Sequence, residues 1–69
     1  MREYIAFVDV EKARQCGLDF KNIKSPYSLW NSRLEKSDYI ILPKDAKPEQ
    51  YEKWSSDKNF VKLTIYGGN

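Results

Sequence analysis

The stretch Glu3-Tyr4-Ile5-Ala6-Phe7-Val8-Asp9-Val10 decides how the chain is read. In an extended strand Tyr4, Ala6, Val8 and Val10 fall on one side, and Ile5, Phe7 and Asp9 on the other. Both sides are largely apolar, which is the pattern of a central strand rather than an edge. Two further runs supply strands. Tyr39-Ile40-Ile41-Leu42 is closed by Pro43, and residues 60–66 alternate, with Val61, Leu63 and Ile65 opposite Phe60, Lys62, Thr64 and Tyr66.

The segments between these strands carry helix signals. Residues 11–16 form a short helix that stops at Gly17. Residues 18–25 are irregular, with Leu18, Phe20 and Ile23 tucked under the core. Ser25-Pro26 is a helix start, with serine as cap and proline at the first helical position. That helix is expected to run from about 26 to 36. Tyr27, Trp30 and Leu34 form its apolar stripe, Leu29 widens it, and Arg33, Glu35 and Lys36 make the solvated side. Pro48 opens a further helix to about Ser55, with Tyr51 and Trp54 one turn apart.

The resulting order is β-α-α-β-α-β. It implies a small two-layer α+β domain of about three strands with its helices on one face. The expected inner layer holds Val61, Leu63, Ile65, Trp30, Leu34 and one side of each earlier strand. Trp30 and Trp54 are both expected in the core, because large aromatics dominate core energetics. Residues 1–69 make one domain, with 67–69 as a flexible C-terminal end.

At 69 residues the core is small, and a chain of this size gains only about 3–5 kcal/mol of net stability without a staple. Composition narrows the chemistry further. The sequence has no histidine, so imidazole bases and histidine–metal sites are excluded. A single cysteine, Cys16, excludes an internal disulfide and a multi-cysteine zinc site. Its setting at the end of a short helix favours packing over reactivity. The glycines Gly17, Gly67 and Gly68 cannot form a phosphate-binding loop. No cofactor, metal or catalytic residue is expected, and the chain is read as non-enzymatic. No apolar run approaches the roughly 20 residues that cross a bilayer, so no membrane partner is expected. The N-terminus lacks a basic region followed by an apolar run, which points to a cytoplasmic protein.

Three local strings resemble known families. Ile5-Ala6-Phe7-Val8-Asp9-Val10-Glu11 resembles the first motif of proofreading-type exonucleases, whose Asp and Glu hold magnesium. The match spans seven residues, and Lys12 stands where that family has threonine. Asp9 as a helix cap, with Glu11 in the first turn, accounts for both acids. Arg2-Glu3-Tyr4-Ile5-Ala6-Phe7-Val8 resembles the aromatic strand signature of RNA-recognition domains, but Glu3 occupies a required glycine position. Residues 13–36 and the later strands resemble the winged-helix excisionases of mobile elements. On that reading Ser28, Asn31, Ser32 and Arg33 form a DNA-recognition face. The linker between the two helices is longer than that family's turn.

Charge distribution does not favour nucleic acid as a partner. Twelve basic residues interleave with ten acidic ones, for a net charge of +2, a pattern typical of a solvated surface. The aromatic content points elsewhere. Five tyrosines and two tryptophans exceed what so small a core can bury with every polar tip satisfied, and these residue types anchor protein interfaces. The expected function is therefore that of a small regulator or inhibitor acting by surface contact on another protein or as a homodimer. Its expected interface is Phe60, Lys62, Thr64 and Tyr66. The Lys-, Tyr- and Asn-rich composition suggests a bacterial or phage source, with the winged-helix DNA-binding protein as the alternative reading.

Overall fold

Arg2–Asp9 forms β1, the middle strand of a three-stranded sheet, in a computed structural model that describes residues 2–67. Tyr39–Pro43 (β2) and Phe60–Gly67 (β3) flank it, both antiparallel to it. The central placement follows from the two apolar sides of β1, where Ile5, Ala6, Phe7 and Val8 are all buried. Three helices join the strands: Val10–Gln15 (α1), Pro26–Trp30 (α2) and Pro48–Ser55 (α3), with single 3-10 turns at Phe20–Asn22 and Lys36–Asp38. The α+β class and the order β-α-α-β-α-β are as the sequence indicates.

The register sorts the side chains into two faces. Tyr4, Ala6 and Val8 lie opposite Pro43, Ile41 and Tyr39 on β2, and opposite Ile65, Leu63 and Val61 on β3. On this first face Ala6, Val8, Ala13, Ile23, Leu29 and Ile65 make the buried cluster, with Leu18, Phe20 and Leu34 packed against it. The cover is α1, α2 and the irregular chain between them. The helices do not all share that face. Phe7 points to the second face and stacks on Tyr51 of α3, with ring centroids 5.4 Å apart. β2 and β3 run parallel with β1 between them, so the α3 connection must pass over one face of β1. It passes over the one carrying Ile5 and Phe7. A third layer thus replaces the expected one-sided arrangement.

Local chemistry explains the helix ends. Asp9 caps α1 by accepting the Lys12 N–H at 3.2 Å. Gly17, at φ 73°, ends it. Gly17 N–H donates to the Arg14 carbonyl and Leu18 N–H to the Ala13 carbonyl, the paired closure of a Schellman motif. Leu18 and Ala13 both pack in the core, which completes the motif.

α2 departs from the expected span. It ends at Trp30 instead of continuing to residue 36. The Ser32 hydroxyl donates back to the Leu29 carbonyl and accepts the Leu34 N–H at 3.3 Å. Asn31 and Ser32 are residues whose side chains compete for backbone partners in this way. The buried positions of α2 are Pro26 and Leu29, one turn apart. The expected Tyr27–Trp30–Leu34 stripe is therefore corrected: Leu34 packs on the cluster, while Tyr27 and Trp30 point away from it. At the other end of the chain, Gly67, the first residue of the expected flexible end, belongs to β3 opposite Arg2. Residues 68–69 lie outside the described residues. A Cβ on Gly67 would come within 2.7 Å of the Tyr4 ring, which lies across the glycine.

Candidate protein-docking site

Trp30 is 56% exposed and Tyr27 62% exposed. Their rings meet edge-to-face, with centroids 5.2 Å apart at 88°, a favoured aromatic geometry. The expectation that Trp30 is core is thus overturned. With α2 held to the sheet through Pro26 and Leu29, Tyr27 turns away from the sheet, and Trp30, one turn after Pro26, lies on the helix's flank at the edge of the buried face. Trp54 of α3 is half-buried, with the Lys53 ammonium 5.8 Å from its ring centroid.

A groove of about 490 Å³ lies between α2 and β2. Trp30 and Pro26 form one wall, Tyr39, Ile41 and Pro43 the other, and Tyr4 lies between them. Lys36 supplies the charge at its rim. The groove runs beside β2, which is an edge strand. Two hydrogen bonds fix the phase of the sheet ladder. Val10 N–H donates to the Asn59 carbonyl at 2.8 Å, and Tyr66 N–H turns outward to the Lys24 carbonyl at 2.9 Å. Even-numbered residues of β1 therefore bond to β3 and odd-numbered ones to β2. Ile40 and Leu42 take the inward bonds of β2, and the amides and carbonyls of Tyr39 and Ile41 point away from the sheet. Among the described residues, none pairs with those outward groups.

The residues singled out in the sequence are placed as follows. Phe60, Lys62, Thr64 and Tyr66 share the second face of the sheet with α3. Phe60 is half-buried; Lys62 and Thr64 are exposed, and Tyr66 is 44% exposed. The Lys62 ammonium lies 5.9 Å from the Tyr51 ring centroid, so α3 borders the strip that was expected to be open. Ser28, Asn31, Ser32 and Arg33 do not share one helical face, because the helix ends before the last three. Ser28 and Ser32 are half-buried, and Asn31 and Arg33 are exposed. α2 has five residues, about 7.5 Å of helix, which is short for a recognition helix.

Asp9 is occupied as the α1 cap. Among the described residues no three acidic or cysteine side chains gather as metal ligands, and no helix is long and apolar enough to cross a membrane. Cys16 is the half-buried C-cap of α1. On the second face Lys44 and Glu3 pair at 2.7 Å. The hydrogen bond that the Lys44 ammonium donates to that carboxylate, and then the carboxylate's charge, raise the Lys44 pKa above its usual value.

The sequence signal for the groove is the Tyr27/Trp30 pair of the apolar stripe, of which Trp30 is expected in the core. No protein-family model matches the chain, and no curated protein or solved structure is detectably similar to it.

Proposed function

We propose that this chain is a small protein-binding module that acts by surface contact without catalysis, and that it docks its partner on the α2–β2 groove. One observation carries the reading: the fold leaves Tyr27 and Trp30 outside its core, beside an apolar groove and an unpaired strand edge. Aromatic anchors of this kind dominate interface energetics, and a contiguous exposed apolar patch on a small protein marks a contact site. Roles as a regulator or inhibitor fit such a module.

Photo-crosslinking tests the reading. The residue p-benzoylphenylalanine replaces Tyr27 beside the groove or, as a control, the exposed Glu49 of α3. Irradiation in the cells that produce the chain is expected to give discrete protein adducts from position 27 and none of the same size from position 49. Absence of adducts from position 27, or identical patterns from both positions, removes the groove as a docking site.

A further inference from the structure

We propose that the partner on this groove is a second copy of the chain, joined antiparallel through β2 about a twofold axis at Ile40, so that two three-stranded sheets become one of six strands. The proposal rests on the protein-docking reading and names its occupant. Its first support is the contrast between the two sheet edges. β3 is closed by its own chain, because the Asp57 carbonyl takes the outward Phe60 N–H and the Lys24 carbonyl takes that of Tyr66. Lys62 stands between them, and an edge lysine discourages pairing. β2 is open over most of its length: Tyr39, Ile40, Ile41 and Leu42 are uncharged, no backbone hydrogen bond among the described residues reaches their outward groups, and only the last position, Pro43, blocks pairing.

The second support is that the β2 edge complements itself. With the axis at Ile40, Tyr39 faces Ile41 of the other copy, and each such pair exchanges two N–H···O bonds. All outward amides and carbonyls of Tyr39 and Ile41 are then satisfied. An axis one residue further on would set Tyr39 against Pro43, which has no N–H to give to the Tyr39 carbonyl. The Pro43 carbonyl already accepts from Ala46 N–H at 3.0 Å. The Ile40 axis also pairs an aromatic with a β-branched side chain on the groove side, a favourable cross-strand combination. Trp30, on the groove wall beside Tyr39 and Ile41, stands next to that junction in both copies. A chain of 69 residues is also of the size at which oligomerisation commonly supplements a small core.

Sedimentation velocity over a concentration series of the whole chain tests this, with circular dichroism to confirm folding. The wild type is expected to sediment at twice its monomer mass. Ile41→Pro removes an outward N–H and leaves the ladder to β1 intact, while Ile40→Lys opposes two ammonium groups at the axis. Each is expected to weaken dimerisation at least about tenfold. Thr64→Pro makes the equivalent change on the β3 edge and is expected to leave the dimer unchanged. Should Ile41→Pro fail to fold, Ile40→Lys decides. A wild type that stays monomeric at every concentration overturns the proposal, as does a dimer that survives Ile40→Lys or is lost equally in Thr64→Pro. A monomeric chain that still forms position-27 adducts with other proteins removes only the second copy. A monomer without adducts removes the docking reading as well.

Discussion

The two faces of the sheet are covered in opposite ways. α3, the longest helix, lies on the second face, where Ile5 and Phe7 are the buried strand residues. The first face is covered by two short helices, a 3-10 turn and irregular chain, yet it holds the larger buried cluster, including Ala6, Val8, Leu29 and Ile65 at zero exposure. Regularity of a covering segment therefore does not measure its share of the core. A short helix anchored by two buried residues leaves its other residues free, and α2 uses that freedom to present Tyr27 and Trp30.

Removing a buried anchor on the first face should give the largest effect. Leu29 is fully buried, and Leu→Ala at such a site costs about 2–5 kcal/mol. That is comparable to the whole net stability expected of a chain this size, about 3–5 kcal/mol. Leu29→Ala is expected to be largely unfolded at room temperature, as read by circular dichroism and urea titration. A cooperative transition close to that of the wild type would show that the irregular cover contributes little, and the contrast between the faces would collapse.

The second face should respond less. Tyr51 is half-buried and stacks on Phe7. An aromatic pair contributes about 0.5–1.5 kcal/mol beyond its buried area. Tyr51→Leu keeps most of the apolar bulk, so its expected cost is of that size, with a folded protein and an unchanged urea m-value. A loss as large as that of Leu29→Ala would make α3 an equal partner in the core.

How far the sequence discloses this arrangement depends on where each signal resides. The three strands and α3 are legible within a residue or two, because alternation and the Pro43 and Pro48 boundaries are local. The Gly17 stop and the Asp9 cap are local too. The placement of α3 is not, although the clue was present: both sides of β1 are apolar, and a strand buried on both faces needs cover on both. The α2 error has a different origin. Helical periodicity matched a stripe of large aromatics, and the competing local bonds of Ser32 and the smaller Pro26/Leu29 pair gave no periodic signal. Periodicity alone therefore puts Trp30 in the core and conceals the groove beside it. Alternation suffices to put Phe60, Lys62, Thr64 and Tyr66 on one side of β3, but it carries no sign that α3 lies on that side.

Trp30→Ala should have the smallest effect on stability, and it separates folding from docking at one residue. A tryptophan in the core would cost about 3–5 kcal/mol on truncation, which would unfold the chain. Trp30 is more than half exposed and lies outside the buried cluster, so the expected cost is under about 1 kcal/mol, nearer the range of surface substitutions. The measurement belongs at low protein concentration, because the stability of a self-associating chain rises with concentration and an interface loss would otherwise be counted as a folding loss. Repeating it at high concentration, where the dimer forms, should widen the gap between wild type and variant. A gap that is large and independent of concentration would return Trp30 to the core. A gap that is small at both would leave the groove without its aromatic anchor, since truncating such an anchor costs about 2 kcal/mol or more in association.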